Sequence, residues 1–181
     1  PTILGQKVTS LEAVRAWSRM VRRWGEAAPG PIAGLHVAPA PERLAATPYW
    51  DFHRLGVERK RAVIVIDACR RMDRLEEAVA MAPADALRRL TALPGLGPWT
   101  ASIVMRLAMG DPDTVEVGDF HIPDHVAWNL AGEPRGDDAR MLELLEPFRG
   151  HRGRVVRLLA LEGQRPPSYG PRLAPHGVEH L

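Results

Sequence analysis

Residues 90–101 read Leu-Thr-Ala-Leu-Pro-Gly-Leu-Gly-Pro-Trp-Thr-Ala. An apolar run ends at Leu93, turns through Pro94-Gly95-Leu96-Gly97 and restarts at Pro98. Two glycines in three positions are costly in backbone entropy, so the turn needs a reason for them. Leu90, Leu93, Leu96, Ala101, Val104 and Leu107 supply apolar positions on both flanks and in the turn. That spacing predicts helices over 83–91 and 98–109, packed through a tight hairpin, with Pro98 in a first turn that tolerates it. The amides of Gly95 and Gly97, with those opening the second helix, lie at the positive end of a helix dipole and suit an anion such as phosphate. A plain interhelical turn would use the same Pro-Gly-x-Gly tetrapeptide without any ligand.

The rest of the chain predicts an all-α protein. Its 181 residues are 45% hydrophobic and 25% charged, as expected of a globular domain or of two small lobes. No apolar stretch is long enough to span a membrane and no signal peptide is expected. Cys69 is the only cysteine, which excludes an internal disulfide and a four-cysteine zinc or iron–sulfur site; a cytoplasmic location is expected. Only two of the 24 basic residues, Lys7 and Lys60, are lysine. Arginine and histidine cluster at Arg59-Lys60-Arg61 and at Arg149, His151, Arg152, Arg154 and Arg157. Local basic patches on a nearly neutral chain fit one face binding a polyanion, and a solvated face is the alternative.

Eight to ten short helices are expected. Residues 3–25 read as amphipathic with a break near Thr9-Ser10, where Ser10 could cap. A Pro/Gly-rich ordered loop follows over 26–41, then helices near 41–46, 48–55, 57–72, 73–80, 83–91, 98–109, 119–131, 136–147 and 151–162. Residues 163–181 read as irregular. No strand alternation or internal repeat appears. Because Pro1 falls inside what reads as a helix, upstream sequence is expected.

A second motif lies at 110–132, Gly-Asp-Pro-Asp-Thr-Val-Glu-Val-Gly-Asp-Phe-His-Ile-Pro-Asp-His-Val-Ala-Trp-Asn-Leu-Ala-Gly. A loop rich in Gly, Pro and Asp leads to Asp119, which would open a helix. Aspartate there is commonly a cap worth about 1 kcal/mol. Asp124 is a competing carboxylate, although it fits no motif. His53, His121, His125 and His151 are scattered and form no metal-ligand spacing.

Taken together, the frame Leu-x-x-Leu-Pro-Gly-x-Gly-x-x-Thr-Ala and the segment Gly-Asp-Phe-His-Ile resemble the helix-hairpin-helix/Gly-Pro-Asp superfamily of DNA glycosylases. Ile3-Leu4-Gly5-Gln6, the Leu55-Gly56 to Arg61-Ala62 segment and Trp99-Thr100-Ala101 are similar to bacterial 3-methyladenine DNA glycosylase II, so the resemblance spans most of 3–163. It implies a two-lobed helical fold, with the hairpin at about 83–109, the catalytic loop and helix at 110–131, and a further domain upstream. It implies a monomer acting on double-stranded DNA that contains a damaged base, with no membrane partner.

The resemblance also implies residue roles. Asp119 falls on the catalytic aspartate. Gly95, Gly97, Pro98 and Thr100 would hold a DNA phosphate, with help from Lys60 and Arg61. Trp99, Gln6, Ile103, Phe120 and His121 would line the base pocket, and Lys7 stands where a leucine wedges into the DNA gap. No cofactor is required and no iron–sulfur cluster is expected. A sodium or potassium ion on the carbonyls of Thr91, Leu93 and Leu96 is implied.

Bifunctional relatives carry a lysine where this chain has Trp99, which implies hydrolysis without strand cleavage. The chain departs from the alkyl-base enzyme at Gly118 (an aspartate there), Ile103 (a tyrosine), Leu159 (a stacking tryptophan) and Lys7. Trp50, Phe52, Phe120 and Tyr169 are the candidates for a replacement aromatic. An alkylated purine such as 3-methyladenine is the expected substrate. Uracil, hypoxanthine or mismatched bases, or a non-catalytic damage-sensing role, are the alternatives.

Overall fold

The computed structural model describes residues 1–168; Tyr169 lies outside them. Among the described residues there are ten α-helices and three 3-10 turns, with no strand and one isolated bridge between Ala27 and His36. The helices are α1 (Ser10–Trp24), α2 (Pro41–Ala46), α3 (Tyr49–His53), α4 (Arg59–Arg70), α5 (Met72–Glu76), α6 (Pro83–Thr91), α7 (Pro98–Ala108), α8 (Ile122–Ala131), α9 (Asp138–Leu145) and α10 (Arg152–Glu162). No helix of the described residues is long and apolar enough to cross a membrane.

The chain divides into two compact units. The first holds Pro1–Glu77 with the turn residues Leu93–Gly95. Its core gathers Leu4, Ala16, Met20, Leu44, Phe52, Val57, Ala62 and Val65. Helix α1 begins at a full capping box, in which Thr9 Oγ1 accepts from the Glu12 amide and Glu12 returns the bond to the Thr9 amide. Thr9, rather than Ser10, is therefore the cap, because only the box satisfies two orphan amides at once. Phe52 is fully buried with the Trp24 ring 4.9 Å away edge-on, so it is core and not pocket.

Arg61 corrects the sequence reading. It is 3% exposed, and its guanidinium NH1 donates to the Leu4 carbonyl at 2.7 Å, tying α4 to the first 3-10 turn. A side chain spent on that buried bond is not available to a phosphate. Lys60, beside it, is exposed.

The second unit holds Ala78–Ala92 and the described residues from Leu96. Helices α6 and α7 pack together, as do α8 and α9, and α10 packs on α8. One core cluster gathers Val115, Val126, Met141, Leu145 and Val156, with Leu159 packed against it. Leu159 is thus a core side chain.

The loop after α7 is fastened to α10 by Asp113. Its carboxylate accepts from the amides of Gly150 (2.7 Å) and Arg152 (3.0 Å) and from the Arg152 guanidinium. A Cβ on Gly153 would sit 2.4 Å from the Thr114 carbonyl, so this helix start meets the loop backbone to backbone. The basic cluster expected here is therefore partly consumed: Arg152 pairs with Asp113 and Arg149 with Glu146. Arg154 and Arg157 pair with no carboxylate among the described residues.

The Arg152 hydrogen bonds hold the Asp113 carboxyl well below the ordinary carboxylate range. A depressed folded-state pKa gives stability that is complete above the unfolded value, about 3.9, and is lost as pH falls through the folded one. Asp113→Asn should lower stability at pH 7 by about 2 kcal/mol. In denaturant titrations the gap between variant and wild type should close progressively below about pH 4. A gap that does not change with pH would contradict this role.

Candidate functional site

The turn of the hairpin answers the question its glycines raise, and answers it differently for each. Gly95 has φ +89°, and a Cβ there would lie 2.6 Å from Ile64 Cδ1 and Cγ1. Packing on α4 and a left-handed backbone both demand glycine at this position. Gly97 is different. Its φ is −78°, and a Cβ would meet nothing within 4 Å. Nothing in the protein requires glycine at 97, and the exposed space beside it is open to a ligand.

Gly97 caps α7 without a side chain, and Pro98 follows in the first turn, so no side-chain oxygen covers the first amides of the helix. Thr100 is 2% exposed, so its side chain is packed inside and the expected contact to an anion falls to its backbone amide. Gln6 Nε2 donates to the Gly95 carbonyl at 2.8 Å, so this side chain braces the hairpin turn. Thr91 ends α6, and Leu93 and Leu96 are buried apolar residues of the turn. Lys7 is exposed and has φ +56°, the one non-glycine residue of the described chain in the left-handed region.

Asp119 is held by three hydrogen bonds. Oδ1 accepts from the amides of His121 (2.8 Å) and Ile122 (3.0 Å). Oδ2 accepts from the Trp99 indole Nε1 at 2.7 Å. The expected capping role is therefore real, although α8 begins at Ile122, three residues later than the sequence suggests. The aspartate caps from outside the helix, which leaves its second oxygen for Trp99.

The loop that carries Asp119 is restrained on both sides. The Asp119 amide donates to the Glu116 carbonyl at 3.2 Å. The Gly118 amide donates to the Asp138 carboxylate at 3.0–3.1 Å, and Gly118 has φ +85°. Such a left-handed backbone favours glycine at this position.

Around Asp119, Trp99 is half-buried and Ile103 follows one turn on along the same face of α7. Phe120 is 85% exposed, and its ring meets the His121 ring edge-on at 4.9 Å. With Phe52 buried, Phe120 is the aromatic candidate that stands next to Asp119 in the chain. Trp50 belongs to the first unit, where its ring lies against Tyr49.

The other polar groups are structural. Asp124 accepts from Arg135 NH1 (3.0 Å) and the Gly136 amide (2.9 Å), so it shapes the turn before α9. His125 Nε2 donates to the Leu159 carbonyl at 2.8 Å. No group of three His, Cys, Asp or Glu side chains among the described residues could hold a metal ion. The sequence reading missed Ile64 beneath Gly95, Asp138 behind Gly118, and the buried pair Arg106–Glu116; none has a spacing signal.

The chain is similar in sequence and in fold to several known proteins. The chain is 27% identical over 128 residues to Bacillus subtilis (strain 168) YfjP, provisionally assigned as a DNA-3-methyladenine glycosylase; this spans 68% of the chain and 43% of that protein. The 3-methyladenine DNA glycosylase of Archaeoglobus fulgidus superposes with a TM-score of 0.76 at 20% identity, covering 88% of this chain and 55% of that one. The 8-oxoguanine glycosylase/lyase of Clostridium acetobutylicum, solved with double-stranded DNA, gives 0.73 at 17%, covering 87% and 55%. A DNA-3-methyladenine glycosidase of Bacillus halodurans gives 0.67 at 19%, covering 90% and 72%. No family profile matches the chain. The chain spans less than half of the curated relative and about half of the first two of these structures.

The two hairpin glycines make separable predictions. Gly95→Ala should destabilise the protein by about 2 kcal/mol or more, through the left-handed φ and the clash with Ile64. Gly97→Ala should cost no more than about 1 kcal/mol, as a change of cap residue. Thermal unfolding of both variants checks this, and equal losses would contradict it. With its hairpin, its capped aspartate and no strand among the described residues, the chain has the fold of the helix-hairpin-helix/Gly-Pro-Asp DNA glycosylases.

Proposed function

We propose that this chain is the catalytic part of a DNA glycosylase that hydrolyses the N-glycosidic bond of an extruded, damaged base and leaves an abasic site. The observation that carries the reading is the state of Asp119, whose two oxygens are oriented by two backbone amides and one indole. A carboxylate has about four lone-pair sites. Three are occupied, which leaves one for a reacting group.

The target base must leave the stack before it can be cut. As the C1′–N bond breaks, its electron pair departs with the base and the sugar gains positive charge. The Asp119 carboxylate stabilises that charge and orients the water that adds to C1′. A purine alkylated at N3 or N7 is already cationic and departs neutral, so it needs no strong acid on the protein. It is the substrate class this site fits best. Trp99, Ile103, Phe120 and His121 would surround it, and an aromatic wall favours a cationic base.

Trp99 occupies the place where a lyase would carry its amine nucleophile. The indole N–H is committed to Asp119 and has no nucleophilic lone pair, so the reaction is read as hydrolysis alone. A DNA phosphate would be held by the amides at Gly97 and the start of α7, with Lys60, Arg154 and Arg157, which pair with no carboxylate among the described residues, adding positive charge. Lys7 would enter the gap left by the extruded base. A left-handed lysine is costly to the fold, which fits a position kept for contact rather than stability. A monovalent cation on the carbonyls of Thr91, Leu93 and Leu96 belongs to the same proposal, as do the monomeric state and the cytoplasmic location.

The test is base release from methylated duplex DNA and from duplexes bearing uracil, hypoxanthine or 8-oxoguanine, read as alkali-labile sites. Release from methylated DNA is expected, and Asp119→Asn should slow it about 100-fold or more while DNA binding persists. Borohydride should trap no covalent adduct, and a trapped adduct would refute the hydrolytic reading. Lys7→Gly should not lower thermal stability yet should weaken binding to DNA with an abasic gap. No release from any of these duplexes would overturn the glycosylase reading.

A further inference from the structure

Glu116 is a carboxylate in an unexpected place. It is 2% exposed, its Oε1 accepts from Arg106 Nε at 2.5 Å, and its Oε2 has no hydrogen-bond partner. Burying a charge with one oxygen unpaired costs stability, and an apolar side chain of similar volume would avoid the penalty. Arg106 is itself only 25% exposed.

The placement of the pair supplies a reason. Arg106 lies on α7 seven residues after Trp99, so both project from the same face, about 10 Å apart along the helix. Their partners, Glu116 and Asp119, are three residues apart in the loop that follows. One face of α7 therefore grips this loop twice: Trp99 holds the carboxylate of Asp119, and Arg106 holds Glu116. The two grips are joined by the bond from the Asp119 amide to the Glu116 carbonyl.

We propose that Glu116 is a positioning residue for Asp119, and that the buried Arg106–Glu116 pair sets the height at which the Asp119 carboxylate meets Trp99. This inference rests on the catalytic reading of Asp119. Without the Arg106 grip the loop is still held by Asp113 on α10, by Asp138 at the Gly118 amide and by the α8 cap, but its side-chain hold on α7 is reduced to the Trp99–Asp119 bond itself. A displacement of the order of 1 Å at a reacting carboxylate is enough to lower a rate about 100-fold.

The test uses Glu116→Leu, which removes the grip, and Glu116→Gln, whose amide oxygen still accepts from Arg106 Nε. The Trp99 indole N–H is followed by NMR, assigned with Trp99→Phe, alongside single-turnover base release. Glu116→Leu strands the Arg106 charge and should unfold more easily than wild type, whereas Glu116→Leu/Arg106→Leu should not. In Glu116→Leu the Trp99 N–H should lose hydrogen-exchange protection, and the release rate should fall 10- to 100-fold. Glu116→Gln should restore both. If Glu116→Leu fails to fold, the double variant Glu116→Leu/Arg106→Leu removes both charges and should show the same two losses.

An unchanged Trp99 N–H, or an unchanged rate, in the apolar variant overturns the proposal. So does a rate loss shared equally by Glu116→Gln. If wild type releases no base at all, the glycosylase reading has failed, and the Trp99 signal still decides whether Glu116 sets the loop.

Discussion

The hydrogen bond from the Trp99 indole to Asp119 Oδ2 organises the site. It runs between the first turn of α7 and the loop ahead of α8, so it fixes the loop to the helix at the carboxylate itself. A carboxylate on a loop would ordinarily sample several rotamers. Here Oδ1 is tied to the first amides of α8 and Oδ2 to an indole, so the group presents one free lone pair in one direction. Preorganisation of this kind lets a single charge act on a transition state without reorganising first.

The same bond links the hairpin to the chemistry. Gly97 and Pro98 open α7, and Trp99 comes next, so the amides free to hold a phosphate and the group that orients the aspartate belong to one helical turn. The two glycines that mark this turn serve different ends. Gly95 is required by the protein, because Ile64 fills the space where its side chain would be. Gly97 is not required by any protein atom, and its open side is where a ligand can approach.

Much of this was legible in the sequence. Helices α6 and α7 lie within a residue of the ranges that apolar spacing predicted, because a hairpin with strong turn residues leaves little freedom in where its helices end. Asp119 and Trp99 could be singled out in the sequence because both sit in a fixed frame around the hairpin, although the bond between them could not. Other features were not. Arg61 reads as part of a basic surface cluster, yet it is buried on the Leu4 carbonyl, a partner 57 residues away that no local pattern reveals. That the Thr100 side chain packs inside and that Gln6 braces the turn are likewise long-range features no local pattern reveals. The Arg106–Glu116 pair closes across an irregular loop, where neither helical nor strand periodicity applies. The start of α8 was placed three residues early because an aspartate that caps from a distance looks the same in sequence as one at the cap.

The account makes Asp119 a stabiliser of positive charge on the sugar. The most direct measurement compares binding of two duplexes, one with a cationic pyrrolidine abasic analogue and one with the neutral tetrahydrofuran analogue. The account predicts that wild type binds the cationic analogue at least about 100-fold more tightly, and that Asp119→Asn loses the preference. Equal affinity of the wild-type protein for the two analogues would contradict it.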